Sequence, residues 1–226
     1  MKIILFGATG MIGQGALRAA LADPEVSEVL TVGRSAPTAT HAKLTFLEHI
    51  DFTDFSSAIP RFAGYDACLF CLGVSSAGMG EEEYTRITYG YTLAAAEAMF
   101  KANPKMVFEY ISGQSTDATE KGRVMWARVK GRTENALQRV GFERVYNLRP
   151  GYIQPLDGIV AKTPGYRAAY AIGGWLFPLW KLLFGEKILT TRSLGEAMVQ
   201  LAKTGAPKPV LEAAEINALW RAAQPG

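Results

Sequence analysis

"KIILFGATGMIG", residues 2–13, decides the fold of this chain. An apolar run, Ile3 to Phe6, is followed at once by Gly7, Gly10 and Gly13 in a G-x-x-G-x-x-G pattern. "MIGQGALRAALA" (11–22) then reads as a helix that stops at Asp23-Pro24, because the residue before a proline is pushed out of the helical region. Strand, glycine turn and helix start, in that order, make an anion site. The glycines allow a tight turn and a close approach to a pyrophosphate, and the first helical N–H groups supply donors and positive potential. The competing reading is a glycine turn without a ligand, but the placement between a first strand and a helix favours a dinucleotide. Thr9, Met11 and Ile12 of the same loop join Gly7, Gly10 and Gly13 as expected contacts.

Outward from this loop, strand and helix signals alternate. "EVLTVGR", "KLTFLEHI", "ACLFCLG", "KMVFEYIS" and "RVYNLRPG" read as further strands. "EEEYTRITYGYTLAAAEAMFKAN" (81–103) reads as one long helix, and 123–140 as another, with Trp126, Val129, Thr133, Leu137 and Val140 on one stripe. Near-continuous apolar strands joined through helices predict a doubly wound parallel α/β sheet, with ligands at the carboxyl ends of the strands. The nucleotide-binding core is expected over 1–155, and 156–226 as a small substrate-side extension packed on the same domain. In that extension Ser193 and Glu196 stand at capping-box spacing, and "LEAAEINALWRAA" reads as a final helix.

The chain has 226 residues, 49% hydrophobic and 20% charged, the composition of an ordinary globular protein. A net charge of +3 and the absence of a long basic run argue against nucleic acid as a partner. Arg123, Arg128 and Arg132 read as a solvated helix face. Met1 to Phe6 is too short an apolar stretch for a signal peptide and reads as a strand, so a cytoplasmic location is expected. Cys68 and Cys71 form C-x-x-C, but on a strand residues three apart face opposite ways, so neither a disulfide nor a metal site is expected. Residues 168–185 are the most apolar stretch. At 18 residues with Pro178 and Lys181 inside, it reads as a pocket wall or subunit interface, with peripheral membrane contact as the lesser alternative and no transmembrane span. A monomer or homodimer is expected.

The second strand ends in "VGRS". A site built for NAD carries an acid near this point, about 20 residues past the glycines, to hold the ribose hydroxyls. Arg34 stands here instead, and its guanidinium suits a 2′-phosphate, which points to NADP(H). Asp51, beside Phe52, reads either as an acceptor for the adenine amino group or as a helix N-cap, a role for which Asp54 competes. Cys71, Leu72 and Gly73 are expected near the cofactor ribose.

The ordered set "GATGMIG", "VGR", "DF", a serine after strand five, a lysine on the next helix and "LRPG" resembles the short-chain dehydrogenase/reductase superfamily over residues 1 to about 155. "WARVKGRTENAL" with "LRPG" is similar to the Tat-interacting-protein-like oxidoreductases, atypical members of it. The resemblance implies a Rossmann fold, with Pro150 and Gly151 among the cofactor contacts. It implies Ser112, with Ser115 as runner-up, as the serine that orients a substrate carbonyl. Lys130 is implied as the lysine that holds the nicotinamide ribose and acidifies a tyrosine. The tyrosine position itself carries Trp126, whose indole is no acid near neutral pH. Trp126 reads either as a wall of the nicotinamide pocket or as a core aromatic. Tyr84, Tyr89, Tyr91, Tyr110, Tyr152 and a water relayed through Ser112 are the alternative proton sources. Two functions are carried forward: an NADPH-dependent reductase of a small apolar carbonyl or alkene, and a non-catalytic NADP(H) sensor. A sugar-nucleotide epimerase ranks third, since such enzymes generally use the tyrosine.

Overall fold

The computed structural model describes residues 1–160 and 188–224. Strand β1 (Lys2–Phe6) leads through the glycine loop into α1 (Met11–Ala22). β2 (Glu28–Gly33) and β3 (Leu44–Glu48) follow, then a 3₁₀ turn at Ser56–Ala58 and the single-turn α2 (Ile59–Phe62). β4 (Ala67–Phe70) precedes α3 (Glu81–Thr85), a π-helical turn (Arg86–Gly90) and α4 (Tyr91–Ala102). β5 (Val107–Ile111), α5 (Met125–Val140) and β6 (Arg144–Arg149) complete the expected alternation.

Seven parallel strands form one sheet in the order β3-β2-β1-β4-β5-β6-β9, where β9 is Val210–Glu212. The order reverses between β1 and β4, so the crevice above their carboxyl ends is the switch point of a doubly wound sheet. The expected fold class is therefore the observed one. A short parallel pair, β7 (Ile153–Gln154) and β8 (Leu189–Thr190), stands apart.

Both faces of the sheet are covered. On one, Ile3, Leu5, Leu69 and Val107 pack with Leu17 of α1 and with Leu194 and Met198 of α6 (Thr191–Thr204). On the other, Ile4, Phe6, Phe70 and Phe108 pack with Phe55, Phe62, Met99 and Leu137. Each such side chain, fully buried, contributes about 1.5–3 kcal/mol. Helices α1 and α6 touch backbone to backbone: a Cβ on Gly195 would lie 2.5 Å from the Gly15 carbonyl oxygen.

Three details differ from the sequence reading. Residues 81–102 are interrupted by the π turn, which packs on α5 and sets Tyr89 under Arg132. Helix α6 is capped by Thr190, whose hydroxyl accepts from Ser193 N while Ser193 Oγ accepts from Thr190 N; Glu196 instead accepts from the Trp220 indole. The expected final helix begins with a strand, because Leu211 is needed at the sheet edge beside Leu148, and α7 proper spans Ala213–Ala222. Among the described residues no helix is long and apolar enough to cross a membrane. The apolar stretch 168–185 lies outside the described residues, as does most of the expected substrate-side wall.

Candidate functional site

The first half of the site is the glycine loop. Gly7 adopts φ +74°, and a Cβ there would sit 2.6 Å from the Cys71 carbonyl oxygen. A Cβ on Gly13 would fall 2.0 Å from the Gly7 carbonyl oxygen, so α1 packs on the loop only because Gly13 has no side chain. Gly10 is freer, at 3.2 Å from the same oxygen, and its N–H closes the turn onto Gly7 O at 2.8 Å. The N-terminus of α1 has no side-chain cap and no acid in its first turn. By contrast α6 and α7 are both closed by capping boxes of their own side chains. Uncapped N–H donors of Met11, Ile12 and Gly13 behind a side-chain-free loop fit a pyrophosphate in both charge and space.

Beside the loop lies a cavity of about 130 Å³ lined by Gly7, Ala8, Thr9, Thr31, Val32, Gly33, Arg34, Ser35, Phe46, Phe52 and Leu72. Five residues expected from the sequence, Gly7, Thr9, Arg34, Phe52 and Leu72, thus meet at one pocket. Arg34 is exposed, with no hydrogen bond or ion pair to another described residue, and no carboxylate lines the pocket. Phe52 is buried edge-on against Phe55 and tilted on Tyr91, which fixes it as a wall. Asp51 is not part of the lining. Its Oδ1 accepts from Thr53 N at 2.9 Å and Thr53 Oγ1 at 2.6 Å. Asp54 likewise accepts from Ser56 N at 2.7 Å, and since Phe55 and Ala58 are the N-caps of the two turns that follow, with no side-chain cap bond, neither acid has the capping role. Gly73 is exposed at the rim. Ser35, Thr31 and Phe46 were missed; Ser35 was legible as the polar neighbour of Arg34, whereas Phe46 reaches the pocket only through β2–β3 pairing.

The second half lies at the ends of β5 and β6. Ser112 is buried, its N–H and hydroxyl both donating to Leu148 O, at 2.9 and 3.1 Å. The Lys130 ammonium donates to the Ser112 carbonyl oxygen. Trp126, one turn earlier on α5, is half-buried and belongs to neither apolar cluster; its ring edge lies 3.9 Å from where a Cβ on Gly113 would stand. Gln114 N donates to Pro150 O at 2.9 Å, which draws Pro150 and Gly151 to the same place. Ser115 is exposed at φ +67°. Gly131 sets the position of α5: a Cβ there would fall 1.8 Å from Asp117 O. Burial pushes Lys130 down to about 8, against an upward pull from Glu134.

The phenols are differently disposed. Tyr84 and Tyr110 are fully buried, and Tyr110, hydrogen-bonded to Thr133, is pushed up by burial. Tyr89 stacks under Arg132 at 4.4 Å, and Tyr91 accepts from Arg86 at 2.7 Å. Tyr152 donates to Gln154 Oε1 at 2.6 Å. Arg128 is no solvated side chain: it joins Glu81 at 2.7 Å and ties α5 to α3. Below Lys130, Glu134 takes a two-pronged bond from Arg149 of β6, at 3.0 and 2.6 Å. Cys68 and Cys71 lie on opposite faces of the sheet, as expected for a strand.

Residues 3–122 match the model of the NAD dependent epimerase/dehydratase family. The protein fmp52-1 of Aspergillus terreus is 31% identical over 73% of this chain and 75% of its own length. The protein HTATIP2 of Rattus norvegicus is 28% identical over 84% of this chain and 77% of its own length. The Bordetella bronchiseptica enzyme WbmF, solved with NAD+, superposes with a TM-score of 0.70 at 15% identity, over 97% of this chain and 76% of that one. The cytoplasmic expectation is corrected: several fungal relatives are named as mitochondrial proteins. It had rested on the lack of a signal-peptide pattern, which does not distinguish these compartments. By family model and by relatives alike, the chain belongs to the NAD dependent epimerase/dehydratase family, with the fold and loop signatures of the short-chain dehydrogenases/reductases.

Proposed function

We propose that the protein is an NADPH-dependent reductase that transfers hydride to a small, apolar carbonyl or alkene. The observation that carries the cofactor choice is the pocket beside the glycine loop: Arg34 stands at its rim without a partner among the described residues, and no carboxylate lines it. A guanidinium pairs with a 2′-phosphate, whereas an NAD site wants an acceptor for the 2′-hydroxyl. WbmF, a fold neighbour, was solved with NAD+, which supports a dinucleotide in the crevice and leaves the phosphate question to Arg34. Bound there, the dinucleotide supplies the hydride. The chain's own part is to cradle the pyrophosphate on the α1 N-terminus, to wall the adenosine with Phe52, and to present Lys130 and Trp126 at the β5 end. The apolar character of the substrate rests on the aromatic sequence of residues 166–184.

Trp126 supports a second reading, a non-catalytic NADP(H) sensor, because the position of the superfamily's acid holds an indole. One experiment separates the two. Purified protein is mixed with NADPH and a broad panel of aldehydes, ketones and enones, and absorbance at the reduced nicotinamide is followed. Cofactor oxidation that depends on one of them supports the reductase. Tight NADPH binding with no oxidation above background supports the sensor.

A further inference from the structure

We propose that Lys130 is itself the proton donor of the reaction, taking over the part that Trp126 cannot play. This rests on the reductase reading above. The positions of the alternatives argue for it. Tyr84 and Tyr110 are fully buried, Tyr89 is covered by the Arg132 guanidinium, and Tyr91 is held by Arg86. Tyr152 directs its proton at Gln154, and Ser112 directs its own at Leu148 O. Lys130 instead brings a three-donor group to the end of β5 and spends one N–H on the Ser112 carbonyl oxygen. Two N–H bonds remain for a substrate oxygen, one helical turn from Trp126.

Burial sets the acidity of the ammonium, lowering its pKa, and Glu134 pulls the other way. Glu134 lies one turn along the same helix, and its charge is already shared with Arg149 of β6. From the end of β5 comes the Ser112 carbonyl oxygen. The outcome is an amine held at about 8, close to the working range of a general acid.

In the step itself, one Nζ–H bond breaks and one O–H bond forms on the substrate oxygen. The electron pair of the new bond comes from the C=O π bond, displaced as hydride from the reduced dinucleotide arrives at carbon. The carbonyl is reduced to an alcohol, the dinucleotide is oxidised, and Lys130 is left as a neutral amine that regains a proton from water.

Two measurements test this. In protein labelled with ¹³C at the lysine ε-carbons, the Lys130 signal is identified by its absence in Lys130→Arg and titrated by NMR without cofactor. It is expected to titrate near 8; titration with the ordinary lysines near about 10.4 would overturn the assignment. Next, turnover and NADPH affinity are compared in wild type, Lys130→Arg and Tyr152→Phe. Arginine keeps the charge and the bond to Ser112 but cannot release a proton. A loss in kcat of about 10²-fold or more, with NADPH affinity nearly kept, is expected for Lys130→Arg. Partial recovery in Trp126→Tyr/Lys130→Arg, where a phenol returns, is expected too. If Lys130→Arg retains its rate and Tyr152→Phe loses it, the donor is Tyr152 and the proposal fails alone. If wild type binds NADPH and reduces nothing, the reductase reading fails and takes the proposal with it.

Discussion

Lys130 and Ser112 are joined across the contact between α5 and β5: the lysine ammonium donates to the serine carbonyl oxygen, while the serine hydroxyl turns away to Leu148 O. The pair that superfamily resemblance casts as lysine and serine is thus present, but the serine proton is committed to the sheet. The lysine keeps two N–H donors beyond its bond to Ser112 O, which is why it is proposed as the donor.

Arg34→Ala should weaken NADPH binding by about 10- to 100-fold, the worth of a charge-assisted hydrogen bond, and leave NADH binding nearly unchanged. Isothermal calorimetry with each cofactor reads this directly. Equal losses for both cofactors would mean that Arg34 shapes the loop and does not meet a phosphate.

Gly13→Ala should destabilise the fold by more than about 2 kcal/mol, although alanine within a helix normally adds up to about 1 kcal/mol. The reason is the Gly7 carbonyl oxygen, 2.0 Å from the new Cβ. Gly10→Ala, with 3.2 Å to the same oxygen, should cost less. Thermal unfolding of both variants checks the order.

The loop was legible because its glycines answer to local geometry, and the alternating strands because both faces of the sheet are buried. What stayed hidden depends on distant chain segments. Glu134 and Arg149 are both charged and look like surface residues in sequence; only the packing of α5 on β6 buries them as a pair. Leu211 and Glu212 of β9 were absorbed into a helical run because so short a strand carries no periodicity of its own. Phe46 lines the pocket beside the glycine loop through sheet pairing alone. Trp126 was open between wall and core, and its place outside both apolar clusters favours the wall.

Glu134→Gln should destabilise by about 3 kcal/mol, since it leaves Arg149 with the weaker and more exposed Glu212 contact at 3.4 Å. It should also move the Lys130 titration lower still, because the Glu134 charge now pulls it upward. Chemical denaturation and the lysine NMR titration report the two effects separately. An unmoved Lys130 would uncouple Glu134 from the site.

Glu109 is buried at the centre of β5 with neither carboxyl oxygen hydrogen-bonded to a described residue, and burial pushes it well above the ordinary range. The folded chain therefore keeps this proton while the unfolded chain releases it above about 4.5. Its contribution to stability is intact below that point and is lost as pH rises, by up to about 1.4 kcal/mol per pH unit. Glu109→Gln should flatten the fall between pH 5 and 8. Parallel wild-type and variant slopes in denaturant titrations would contradict this.

We propose this crevice as an NADPH site. Calorimetric titration of the wild-type protein with NADPH and with NADH tests it most directly. Saturable binding of NADPH, at least about tenfold tighter than NADH, is the predicted result and corresponds to about 1.4 kcal/mol from the Arg34 contact. Binding of neither, or tighter binding of NADH, would contradict it.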